Sequence, residues 1–78
     1  MLTGQELTCL YGAAYGLNNR QIASVLGIGY TTVRTYMHRI FIELNTDNRT
    51  KAVLEGIKSG YINLNELGGR YVKESYRM

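Results

Sequence analysis

Residues 17–40 read LNNRQIASVLGIGYTTVRTYMHRI, and the way this stretch divides decides the fold. Gly27 splits it into two periodic runs. In the first, Asn18 stands where a helix N-cap belongs, and Gln21, three residues on, can close a capping box with it. Leu17 and Ile22 occupy the two ends of a hydrophobic staple. In the second run Gly29, a poorer cap, precedes Val33, Met37, Ile40 and Leu44 at helical spacing, with Tyr30 and Phe41 beside them. Gly27 sits just past the first run, where a left-handed turn stops a helix. A helix of about two turns, a glycine turn and a second helix at once is the layout of a helix-turn-helix. Ala23 is small where the second helix must cross, and Ile22, Leu26, Ile28 and Val33 form the wedge that sets the crossing angle. The competing reading is an ordinary αα-hairpin.

The same punctuation recurs on both sides. Thr3 and Glu6 are spaced as a capping box, with Leu2 and Leu7 as its staple. Thr46 or Asp47 can start a further helix, while Gly16 and Gly60 stand just past periodic runs, as Gly27 does. The spacing predicts helices near 4–15, 19–26, 30–44 and 48–59: an all-α, four-helix domain over residues 1–62. Residues 63–78 lose the periodicity and read as a C-terminal extension, with a possible helical turn at Asn65 to Leu67 before Gly68 and Gly69.

Totals agree with one small folded domain: 78 residues, 45% hydrophobic, 19% charged and no Pro. No run of 18 apolar residues and no basic-then-apolar leader is present, so no membrane segment is expected and the chain reads as cytoplasmic. The single Cys9 and single His38 build neither an internal disulfide nor a metal site, and Cys9 reads as a small buried hydrophobe. No nucleophile–His pair, acid–base pair or phosphate loop occurs at credible spacing, so neither an enzyme nor a cofactor is expected.

A net charge of +3 is mild, but its distribution is not. Between Glu6 and Glu43 there is no Asp or Glu, while Arg20, Arg34, His38 and Arg39 all fall inside that gap. Such a surface favours a polyanion. On a wheel of about 100° per residue, Thr31, Arg34, Thr35, His38 and Arg39 gather opposite the apolar side of the third helix. Arg can pair bidentately with guanine, and Thr offers a hydroxyl or a methyl to thymine. Asn19, Arg20 and the free N–H groups at the start of the second helix suit phosphate. Tyr36 flanks the face, either as a phosphate donor or as a half-buried core residue.

On the fourth helix Ala52, Val53, Gly56 and Ile57 cover one arc, and Leu54 with Tyr61 widen it to roughly 200°. Ala52 and Gly56 allow a close approach, to the domain core or to another helix. The surplus, Leu54, Ile57 and Tyr61, is either a dimer surface or a patch covered by the tail. A two-fold dimer would set two reading helices about one DNA turn apart.

These residues resemble the LuxR/GerE-type DNA-binding domain of bacterial regulators. LTGQE is similar to its opening L-T-x-R-E, AYGLNNRQIASVLGIGYTTVRTY to A-x-G-x-S-N-K-E-I-A-x-x-L-x-I-S-x-x-T-V-K-x-H, and LNTDNRTKAV to L-G-V-x-x-R-x-x-A-V. The resemblance runs from about residue 2 to residue 62. It implies a four-helix domain that docks its third helix in the major groove of double-stranded DNA and forms a homodimer through its fourth. It further implies that Arg34, Thr35 and His38 face bases, with Thr31 alongside, and that Asn19, Arg20, Thr32 and Tyr36 hold phosphates, with Arg39 near them. A pairing of Glu6 with Arg49, fastening the first helix to the fourth, is also implied. Gln5 replaces an Arg of the pattern, Asn18 and Gly29 replace Ser caps, Tyr36 replaces a His and Asn45 a Gly. The length resembles free-standing members, in a bacterium or encoded by its phage or plasmid.

Two other readings use the same residues. Region 4 of a sigma factor has a similar opening and helix-turn-helix, and would bind RNA polymerase. An interaction module could use its fourth helix to pair with a larger regulator.

Overall fold

The computed structural model describes residues 1–65, and within them the chain forms four α-helices. They are α1 (Gly4–Ala14), α2 (Asn19–Leu26), α3 (Tyr30–Glu43) and α4 (Arg49–Lys58). The all-α, four-helix reading holds, with boundaries within a residue of those predicted. Leu64 and Asn65 are helical, and residues 66–78 of the predicted extension lie outside the described residues.

Both capping boxes form. The Thr3 hydroxyl accepts from the Glu6 N–H at 3.2 Å while Glu6 Oε1 accepts from the Thr3 N–H at 2.9 Å. Asn18 and Gln21 exchange the equivalent pair, both at 2.8 Å. Gly29 caps α3 without a side-chain bond, as its missing side chain dictates. The cap of α4 is a correction: Asn48, rather than Thr46 or Asp47, accepts from the Lys51 N–H at 2.8 Å. All three residue types can cap. Only Asn48 stands one residue before the first helical φ/ψ pair.

The stops share one geometry. After α2, Gly27 adopts φ +68°, its N–H bonds the Ser24 carbonyl and the Ile28 N–H bonds that of Ala23, the paired bonds of a Schellman ending. Asn45 performs the same turn after α3 at φ 53°, the left-handed region that Asn tolerates better than most side chains. That conformation accounts for an Asn where the resembling family has Gly.

The core gathers Cys9, Leu10 and Ala13 of α1, Ile22 and Ala23 of α2, Val33, Met37 and Ile40 of α3, Leu44, Ala52 of α4, and Ile62. The wedge is formed as the spacing predicts: Ile22 and Val33 are buried, and Leu26 and Ile28 pack half-buried against them. Cys9 is a fully buried free thiol. Gly56 serves the domain's own packing, since a Cβ there would lie 2.9 Å from Leu10 Cδ2 and 3.1 Å from Ile62 Cδ1. The chain after α4 folds back, burying Ile62 and leading the Asn63 N–H to the Tyr11 hydroxyl at 2.9 Å. Among the described residues no helix is long and apolar enough to cross a membrane.

Candidate nucleic-acid interface

Helix α3 is anchored from beneath by Val33, Met37 and Ile40, which are nearly fully buried. The opposite side displays Thr31, Arg34, Thr35 and His38, all exposed. These four lie within about 100° of arc on the helical wheel. The Thr35 hydroxyl donates to the Thr31 carbonyl at 3.1 Å. Arg34 and His38 also border a depression of about 240 Å³ completed by Asn19, Met37, Phe41 and Arg49. The starts of α2 and α4 thus meet the middle of α3 around one concave, basic edge.

The residues expected at phosphates divide. Arg20 and Thr32 are exposed at the starts of α2 and α3, beside the N–H groups that each helix leaves unpaired. Asn19 is half-buried and its Oδ1 accepts from Arg49. Tyr36 is half-buried, and its hydroxyl donates to Gln5 Oε1 on α1. A phenol carries one donor, so the geometry favours the half-buried alternative over the phosphate donor. Arg39 lies about 140° round the wheel from Arg34. Its guanidinium is 3.8 Å from Glu6 Oε2, so its charge is partly met within the domain.

The expected Glu6–Arg49 pair does not form. Glu6, only 5% exposed, meets Thr3 and Arg39, whereas Arg49 donates to the Leu17 carbonyl and to Asn19. Arg49 is the first residue of α4, and from there its side chain reaches the α1–α2 turn. Helix α4 is therefore fastened to the turn that precedes the helix-turn-helix, a link with no signal in local sequence.

Tyr30 is a second departure. Placed by spacing among the inward residues, it is 39% exposed. Arg20 lies over its ring at 4.7 Å from the centroid, and Arg34 at 6.0 Å. The available signal was the four-residue step from Tyr30 to Arg34, which places the two side chains on one helix flank.

Of the residues read as a dimer surface, Leu54 is 49% exposed and Ile57 packs half-buried against the core. Tyr61 is engaged within its own chain. Its hydroxyl accepts from the Leu2 N–H and donates to Glu43 Oε2, both at 3.4 Å.

A two-turn helix, a left-handed glycine and a longer helix with an exposed basic face define the helix-turn-helix class of DNA-binding domain. Residues 1–55 match the family described as "Bacterial regulatory proteins, luxR family". The chain belongs to the LuxR family, and its fold is that family's DNA-binding domain. It is 42% identical over 60 residues to the "Uncharacterized transcriptional regulatory protein YxjL" of Bacillus subtilis, covering 77% of this chain and 28% of that protein. It is 40% identical over 67 residues to the "HTH-type quorum sensing-dependent transcriptional regulator VjbR" of Brucella ovis, covering 86% and 26%. Among solved structures it is similar to the response regulator ChrA of a heme-sensing two-component system, with TM-score 0.78 and 35% identity over 80% of this chain and 31% of that one. The chain thus spans little more than a quarter of the length of these curated relatives. The family and these relatives are regulators of transcription rather than enzymes.

Proposed function

We propose that this chain is a sequence-specific double-stranded DNA-binding regulator of transcription, acting as a homodimer in the bacterial cytoplasm with α3 in the major groove. The observation that carries the reading is the exposed, carboxylate-free face of α3, Thr31, Arg34, Thr35 and His38, held up by buried Val33, Met37 and Ile40. In this role Arg34 forks onto a guanine edge, the threonine methyls meet thymine, and His38 donates to a base acceptor. Arg20, Thr32 and the N-terminus of α2, with Asn19, seat the domain on phosphates. Arg39 adds attraction at the border, and Tyr36 supports α3 from behind. Leu54, with Ile57 beside it, is the surface that joins two copies. A larger regulator or RNA polymerase is the natural protein partner for such a domain.

Selecting bound sites from random duplexes tests the reading. A two-fold symmetric consensus with half-sites about 10 base pairs apart is expected, with affinity falling steeply as salt rises, as counterion release requires. Leu54→Glu should leave the fold intact and reduce the preferred site to a single half. Absent or salt-insensitive duplex binding would sink the DNA reading, and an asymmetric wild-type consensus would sink the homodimer.

A further inference from the structure

We infer that Tyr30 is a positioning residue of the DNA interface, a ring that holds Arg20 and Arg34 together at its edge; the inference rests on the DNA-binding reading above. Three observations meet here. Tyr30 opens α3 and remains 39% exposed although its neighbours in the helical pattern are buried. The Arg20 guanidinium lies 4.7 Å from its ring centroid and that of Arg34 6.0 Å, one from α2 and one from the next turn of α3. No acidic residue occurs between Glu6 and Glu43, and the ion pairs among the described residues involve neither arginine.

Two like charges brought to one surface repel each other, and each long side chain loses rotamer freedom when it docks. A carboxylate between them would relieve the repulsion, but it would also repel DNA. The face of an aromatic ring is negative by its quadrupole and carries no net charge. Tyr30 therefore attracts both guanidiniums without lowering the positive potential that phosphates see. It also restricts them before DNA arrives, one in reach of the phosphate edge and one at the base-reading face. Binding then spends less ordering entropy on both.

The experiment compares wild type, Tyr30→Phe and Tyr30→Leu. In the free protein, side-chain NMR of the Arg20 and Arg34 Nε–H groups should show ring-current shifts that Phe keeps and Leu removes. With the selected duplex, Tyr30→Leu should bind about five- to tenfold more weakly, because DNA must then order two long side chains that the ring otherwise restrains, and Tyr30→Phe should stay within twofold of wild type. The thermal midpoint should match wild type in Tyr30→Phe and fall by a few degrees in Tyr30→Leu, which loses both contacts from the free fold but stays folded at the assay temperature, and Tyr30→Leu should weaken binding less in an Arg20→Ala background. Equal losses in Phe and Leu would overturn the inference by assigning the effect to the hydroxyl. So would absent ring-current shifts in wild type, or unchanged affinity in Tyr30→Leu. Failure of wild type to bind any duplex would instead strike the functional reading, leaving the NMR comparison to decide the stacking.

Discussion

The Tyr36 hydroxyl donates to Gln5 Oε1, tying α3 to the first turn of α1. Gln5 and Tyr36 stand at two positions where the chain departs from the LuxR/GerE pattern it otherwise resembles, an Arg and a His respectively. Their contact makes the two departures one structural unit: a neutral acceptor on α1 matched to a neutral donor on α3.

That unit predicts coupled stability. Tyr36→Phe and Gln5→Ala should each destabilise the domain by about 0.5–1 kcal/mol, the range of a hydrogen bond in contact with water. The double variant should lose little more than either single one, because one bond is lost in all three. Urea unfolding of the four proteins measures this, and additive losses would show that the contact contributes nothing. Duplex affinity of Tyr36→Phe should stay near wild type, since its hydroxyl is spent on Gln5. A marked loss of affinity would return Tyr36 to the phosphate contacts.

Gly56 leads to a packing prediction. A methyl added there meets Leu10 Cδ2 at 2.9 Å and Ile62 Cδ1 at 3.1 Å, and both side chains are buried. Gly56→Ala should destabilise by about 1–3 kcal/mol from overpacking, less the helix propensity that Ala brings, up to about 1 kcal/mol. Gly4→Ala is the control, because nothing lies within 4 Å of its added Cβ. It should be neutral or slightly stabilising. A Gly56→Ala protein as stable as wild type would mean that the ends of Leu10 and Ile62 move aside at no cost and that the close approach does not require glycine.

What the sequence disclosed and what it hid divide along a physical line. The capping boxes, the left-handed glycines and the wedge of Ile22, Leu26, Ile28 and Val33 depend on residues a few positions apart, where spacing alone sets geometry. Arg39, Arg49 and the contact of Arg20 with Tyr30 lay beyond that reach. Each arginine has a side chain long enough to cross to another helix, and its partner is chosen by the crossing angle rather than by sequence distance. Glu6 accordingly meets Arg39 across α1 and α3, while Arg49 goes to Leu17 and Asn19. The cap of α4 was ambiguous for a different reason, since Thr46, Asp47 and Asn48 are all capable and only backbone dihedrals choose among them.

Cys9 supplies a pH dependence. Burial first, and the Glu6 carboxylate second, push its thiol above the ordinary cysteine range. The folded state therefore holds the proton more tightly than the unfolded chain. Its contribution is complete below the unfolded thiol pKa and is lost as pH rises from there towards the folded value. Within that window stability should fall with a slope of at most about 1.4 kcal/mol per pH unit from this group. The measurement is the difference between wild type and Cys9→Ala in urea unfolding at about pH 7.5 and about pH 10, which isolates this thiol. Wild type should lose more stability than the variant, and equal losses would refute the assignment. At neutral pH an alkylating reagent should reach Cys9 only through unfolding, slowing in step with stability.

Arg34 and Arg20 separate the two kinds of contact that a DNA-binding domain makes. Arg34 projects from the exposed face of α3, while Arg20 stands at the start of α2, where the helix also offers unpaired N–H groups. Arg34→Ala should cost about 1–3 kcal/mol on the preferred duplex and relax selectivity at one base pair in each half-site. Arg20→Ala should weaken all duplexes alike, and the slope of log affinity against log salt should fall by about one per half-site. Titrations of the selected duplex and a scrambled one, at several salt concentrations, distinguish the two patterns. If Arg34→Ala weakened both duplexes equally, Arg34 would be a phosphate contact and base selection would pass to Thr35 and His38. If Arg20→Ala altered selectivity instead, α2 rather than α3 would lie closer to the base edges, and the proposed docking of α3 would be wrong.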